Sequence, residues 1–190
     1  ELSFEITVPA GHLLGPSDVR LAYARFAEIL SDSLARIGVA TRVVEAAEAT
    51  TRSSEPLLRP ACFAALSPYE LLASDRKLVG LAQVRRGGAT IQHGAIYRRF
   101  DVEKLSRVLT APSVELAERR RIALADRVTD LETAMGRPVD LREVADAIRT
   151  AFAEATGQPV EAGELTEAER GESSRLAREK YGSPGWTFRR

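Results

Sequence analysis

The sequence predicts an α+β fold, a central mixed β-sheet flanked by helices with a small helical appendage at the C-terminal end. Three observations point there. Apolar and polar residues alternate from Leu2 to Val8, the period of a half-buried strand. Turn signals at Ser74-Asp75 and Gly87-Gly88 divide a strand-like stretch running from Tyr69 to Arg98. From Asp101 onward, capping residues precede runs of helical periodicity. The expected division is a strand-bearing region, residues 1–110, followed by a mainly helical one, residues 111–190.

Taken in order, Leu2–Val8 is the first strand, followed by a Gly-rich turn from Gly11 to Gly15. Ser17 can cap a helix to about Ile37, with Val19, Tyr23, Phe26, Ile29, Leu30, Leu34 and Ile37 on one face and Gly38 as its stop. Val39–Val44 reads as a short second strand, and the polar stretch Glu45–Pro60 as a mobile loop. Asp101, Ser113, Asp140 and Thr166 each open a helix; the third runs from Leu141 to about Thr156 and stops at Gly157. Val160–Glu164 reads as a short strand before the last helix, which reaches about Tyr181.

Composition narrows the function classes. With 44% hydrophobic and 28% charged residues in 190, the chain can bury a core. Lys plus Arg equals Asp plus Glu at 27 each, which argues against nucleic acid as a partner. No apolar window reaches membrane-spanning length and the start has no signal-peptide pattern, so a soluble, cytoplasmic protein without a membrane partner is expected. One cysteine and two histidines make an internal disulfide impossible and a dedicated metal site unexpected.

Placing Gly87-Gly88 in a two-residue turn pairs Arg86 with Ala89, Gln83 with Gln92, Leu81 with Gly94 and Val79 with Ile96. Leu78, Gly80, Ala82 and Val84 then share a face with Ile91, His93, Ala95 and Tyr97, small and apolar enough to receive a helix. On this register His93 is a core histidine, an assignment that a one-residue slip reverses. The opposite face carries Lys77 and Gly94, where a ligand backbone can approach. Lys77 is one of three lysines; it is either an edge-strand charge in water or a ligand contact. Cys62 is either inert packing or a nucleophile, and an ammonium such as Lys77 nearby would favour its thiolate. In Arg119-Arg120-Arg121, the neighbouring Glu115, Glu118 and Asp126 favour a solvated, ion-paired face.

Three ordered motifs carry a resemblance: Cys62-Phe63-x-x-x-Ser67-x-Tyr69-Glu70; then Arg76-Lys77-Leu78-Val79-Gly80-x-Ala82-Gln83-x-Arg85; then Gln92-His93-Gly94-Ala95-Ile96. With the end signature Lys180-Tyr181-x-x-x-x-Trp186-x-Phe188, they resemble the biotin and lipoate protein ligase superfamily, most nearly its lipoate-protein ligase and cysteine-dependent octanoyltransferase branch. The resemblance implies that fold, and transfer of a lipoyl or octanoyl group onto a lysine of a lipoyl carrier domain or glycine-cleavage H-type protein. It implies that Lys77 contacts the acyl carbonyl and Cys62 holds the acyl group as a thioester. Gly80 and Ala82 would flank the acyl pocket, with His93 and Gly94 on the next strand; for His93 this conflicts with the core reading. The donor would be lipoate or an octanoyl thioester, with ATP and magnesium as cofactors if the chemistry is that of a ligase.

Two departures stand out. Leu81 replaces a small residue usual between the Gly and the Ala, and the family's Arg-x-x-Gly-Gly-Gly-type stretch is absent ahead of Leu2. A separate N-terminal ligase chain is therefore an expected partner, and a non-catalytic subunit or pseudoenzyme binding a ligase partner or carrier domain is the alternative.

Overall fold

A computed structural model describes residues 1–52 and 56–189. They form two compact units, Glu1–Gln158 and Pro159–Arg190.

The first unit is built on five strands, β1 (Leu2–Pro9), β2 (Arg42–Val43), β3 (Leu71–Ala73), β4 (Arg76–Arg86) and β5 (Ala89–Ile96), in the order β1-β5-β4-β3-β2. Neighbouring strands are antiparallel. A single-residue parallel bridge, Lys77 to Val128, adds the other sense. Between β1 and β2 the chain crosses over as α1 (Val19–Arg36), capped by Asp18 rather than Ser17, whose carboxylate accepts from the Arg20 N–H at 2.8 Å. Helix α6 (Leu141–Thr156) packs beside α1, with the Phe26 and Phe152 rings 5.2 Å apart. These two helices cover one face of the sheet, where Phe26, Leu30, Leu34, Leu71, Val79 and Ile96 are fully buried.

The expected mobile loop Glu45–Pro60 is largely ordered. It holds α2 (Ala46–Arg52) and a 3-10 turn at Pro56–Leu58; its residues 53–55 lie outside the described ones. Ala46-Ala47-Glu48-Ala49 is good helix-forming sequence, and Ala49 anchors it by burial against Val44, Leu66 and Leu72. Only Arg42 and Val43 of the expected strand Val39–Val44 pair.

Helices α3 (Val102–Val108), α4 (Val114–Arg127) and α5 (Leu131–Met135) follow β5, the first two capped by Asp101 and Ser113 as expected. α5 was not anticipated; Asp130 caps it, and its first N–H groups bond the carbonyls of Tyr97 and Arg98. The compact unit thus extends past residue 110. Arg120, expected on a solvated face, is buried instead, donating to the Leu57 and Thr110 carbonyls. Arg121 pairs with Glu103 and Glu118 on the surface.

The second unit has no strand among its described residues; Val160–Glu164 forms no regular element. It comprises α7 (Glu167–Leu176), opened by a Thr166/Glu169 capping box, a π-turn at Ala177–Tyr181 and α8 (Pro184–Thr187). Tyr181 meets Trp186 edge-on at 4.9 Å. Among the described residues no helix is long and apolar enough to cross a membrane.

Candidate active site

The hairpin register is the expected one, Val79 to Ile96, Leu81 to Gly94, Gln83 to Gln92 and Arg86 to Ala89. The faces are reversed. Leu2, Phe4, Ile6 and Val8 of β1 stand opposite Ile96, Gly94, Gln92 and Thr90, and all four of those β5 residues are buried. Gly94 lies under the Phe4 ring, where a Cβ would overlap Phe4 Cζ and come within 2.7 Å of a Cε atom. Its missing side chain makes room for an aromatic ring on the core side, and the cleft lies on the other face. His93 is correspondingly not a core histidine: its side chain is 53% exposed, with Nδ1 3.9 Å from Glu5 Oε2.

Lys77 departs from its neighbours because of a β-bulge. Leu71 pairs with Val79 while Leu72 pairs with Lys77, so β4 carries one extra residue there. Leu78 and Val79 consequently both enter the core, and Lys77 joins Gly80 and Ala82 on the open face. Strict alternation places Lys77 with Val79; the bulge overturns that placement.

The Lys77 side chain is only 5% exposed and its Nζ lies 2.7 Å from Oε1 of Glu70, itself 4% exposed. Nζ also donates to the Ala65 carbonyl at 2.7 Å and sits 4.8 Å from the centre of the Phe63 ring. Burial pushes Lys77 below its ordinary value and Glu70 above its own, and their mutual contact opposes both shifts. Glu70 Oε2 accepts from the Ser67 N–H at 2.7 Å and Oε1 from the Leu81 N–H at 3.4 Å. Glu70 stood in the sequence motif without a role; its signal was a lone carboxylate just ahead of the apolar Leu71-Leu72 strand.

Cys62 opens a 3-10 turn, Cys62–Ala64, and is exposed, which removes the packing alternative. It lines the same cleft as Lys77. Phe63 crosses above Gly80, where a Cβ would meet its ring at 2.9 Å, and meets Tyr97 edge-on at 4.8 Å. Together these groups line a cleft of about 580 Å³ that also takes in Ala82, His93 and Ala95. Of the expected site residues, Cys62, Lys77, Gly80, Ala82 and His93 converge on it and Gly94 does not.

The cleft is lined largely by apolar side chains and also carries a thiol, an imidazole, the buried Lys77–Glu70 pair, Ser67, Tyr97 and Glu1, equipment suited to holding an alkyl chain and polarising the carbonyl at its end. A sheet backed by two helices and bearing such a cleft defines an acyl-transfer class of enzyme. Residues 1–153 match the lipoyl protein ligase A/B catalytic domain, and the chain belongs to that family. It is 34% identical over 190 residues to octanoyltransferase LipM of Symbiobacterium thermophilum, covering 100% of this chain and 69% of that protein. Against octanoyltransferase LipM of Carboxydothermus hydrogenoformans it is 33% identical over 189 residues, covering 100% and 68%. A solved structure of lipoate-protein ligase A bound with ATP superposes with a TM-score of 0.71 at 22% identity, over 97% of this chain and 63% of that one. The bi-partite lipoate protein ligase of Thermoplasma acidophilum, studied with its E2 lipoyl domain, gives 0.74 at 20% identity, over 97% and 62%. The chain therefore spans less than two thirds of those solved chains, and their likeness establishes the fold.

Proposed function

We propose that this chain provides the catalytic core for moving an octanoyl or lipoyl group onto a lysine of a lipoyl carrier domain, through a thioester on Cys62. The observation that carries this reading is that the exposed Cys62 thiol and the buried Lys77 ammonium line one largely apolar cleft. In the first step the Cys62 thiol passes its proton to solvent, its thiolate attacks the carbonyl of a thioester donor, a new S–C bond forms, and the donor C–S bond breaks as the donor leaves as a thiolate that takes up a solvent proton. In the second, the neutral amine of the carrier lysine attacks the Cys62 thioester, an amide N–C bond forms, the C–S bond breaks to return the Cys62 thiolate, and the proton lost by the amine passes to solvent. An ammonium has three N–H donors; Lys77 uses two on Glu70 and Ala65, which leaves one for the oxyanion of either step.

Gly80 and Ala82 keep the cleft floor free of side chains beyond a methyl group, and His93 borders it on β5. Gly94 is assigned to packing. The acceptor is a lipoyl carrier domain or H-type protein, a partner supported by the lipoyl domain studied with the archaeal ligase. ATP and magnesium belong to the alternative ligase route, in which an adenylate donor requires no cysteine; the exposed Cys62 is what favours the thioester.

Intact mass after incubation with an octanoyl carrier-protein thioester tests the reading. The expected result is a hydroxylamine-labile octanoyl adduct that is absent in Cys62→Ser, with adduct formation slowed at least about 100-fold in Lys77→Ala. An adduct that persists in Cys62→Ser, or none in the unaltered chain, refutes the thioester route.

A further inference from the structure

Resting on that reading, we propose that Glu70 is a positioning residue: its buried carboxylate orients the Lys77 ammonium toward the cleft and ties it to the loop that carries Cys62. Neither carboxylate oxygen is idle, since Oε1 meets Lys77 Nζ at 2.7 Å and Oε2 receives the Ser67 N–H at 2.7 Å. The same loop closes on the ammonium from its other side. The Ala65 carbonyl takes a second Nζ hydrogen at 2.7 Å, while the Ala65 N–H bonds the Cys62 carbonyl at 3.2 Å. The Lys77 ammonium and the Cys62 turn are thereby joined through four hydrogen-bonded links.

The backbone ahead of Glu70 is bent to serve this arrangement. Tyr69 adopts φ +69, a left-handed conformation unfavourable for an aromatic residue. It is held there by a 2.9 Å bond from its N–H to the Val44 carbonyl and by stacking on Tyr23 at 5.9 Å. Strain of this kind persists where the surroundings over-determine it. Its result here is a carboxylate turned inward at the start of β3.

Other titratable groups face the pair: Cys62 on the 3-10 turn, Tyr23 on α1, His93 on β5, Tyr97 just after β5, and Glu1 beside β1. None of them makes a hydrogen bond to Lys77 Nζ, whereas Glu70 does. The negative charge of Glu70 counteracts the effect of burial on the ammonium. Removing it takes away the largest influence that opposes burial, so Lys77 gives up its proton at lower pH and the alkaline limb of acyl transfer moves in the acid direction.

The chain has three lysines, Lys77, Lys104 and Lys180, so lysine labelled at the ε-carbon gives a spectrum of three signals. The Lys77 signal is assigned by its loss in Lys77→Ala. In Glu70→Gln its titration midpoint is expected to fall by about one pH unit or more, and Glu70→Asp to recover most of that fall. In parallel, Cys62 acylation in Glu70→Gln is expected to slow about tenfold or more at neutral pH, with its alkaline limb displaced to lower pH. The Lys77→Ala/Glu70→Gln double variant should be no slower than Lys77→Ala alone. An unmoved Lys77 midpoint, an unmoved alkaline limb, or losses that add in the double variant overturn the positioning role. Absence of acylation in the unaltered chain alongside a normal shift of the Lys77 midpoint would instead condemn the acyl-transfer reading and leave the pair intact.

Discussion

Gly94→Ala separates the two faces of the sheet by experiment, because the position is intolerant for reasons unrelated to the cleft. The new Cβ would lie 2.7 and 2.8 Å from the two Cε atoms of Phe4 and closer still to its Cζ, so the ring must move. Phe4 is stacked on the buried Phe26 at 6.4 Å, and β1 and β5 are locked in register from Leu2 to Pro9. Overpacking a fitted site costs about 1–3 kcal/mol. With three ring atoms closer than any real Cβ contact, the upper half of that range applies, about 2–3 kcal/mol. For a unit of this size that is a fall in Tm of about 4–12 °C. The assay is thermal unfolding by circular dichroism of Gly94→Ala, Phe4→Ala and the double variant. Removing the ring removes the clash, so the double variant should melt no lower than Phe4→Ala. An unchanged Tm for Gly94→Ala, or losses that add, would refute the face assignment. Gly80→Ala is the counterpart on the open side: its Cβ meets the far edge of Phe63 at 2.9 Å, so it should alter acyl-chain selectivity more than Tm.

Three other outcomes follow from charges. Glu48 is held down to about 2 by Arg42 and Arg52, so its contribution is complete above its ordinary value of 4.5 and fades as pH falls toward about 2. Glu48→Gln should lower stability by about 1 kcal/mol near neutrality, with the difference closing in melts near pH 2. Lys77→Met strands the Glu70 carboxylate, costing about 3 kcal/mol at neutral pH. Because burial holds Glu70 above its ordinary value, protonation relieves that deficit, and denaturant titrations should show it largest in alkali and shrinking toward acid. Arg120→Ala removes a buried side chain and its two bonds to the Leu57 and Thr110 carbonyls and should cost about 2 kcal/mol in the same titrations, whereas exposed Arg119→Ala should stay within about 0.5 kcal/mol of the parent.

The hairpin shows how far sequence reasoning reaches. Gly87 and Gly88 both take positive φ, as a two-residue turn demands, and that local requirement fixed the register of β4 on β5. Which face would be buried depended on β1, whose partner was not readable from local pattern, so Gly94 and His93 exchanged environments. Lys77 was legible as a site residue through its motif, but its route to the cleft was not. A bulge breaks the period of two without a glycine or proline to announce it. Helix caps at Asp101, Ser113, Asp140 and Thr166 were legible because capping chemistry is local. The buried state of Arg120 was not, because its partners lie 63 and 10 residues away.

The Lys77 carbonyl, on the bulge, accepts the Thr129 N–H at 2.9 Å, and the next residues cap α5 against the end of β5. The segment leaving α4 is thus a splint across the one irregular point of β4. A chain shortened to residue 110 would remove that splint, open the bulge to water and release the lysine it aims. The smallest fragment that retains a competent cleft must therefore keep α4 and α5, although neither helix lines the cleft.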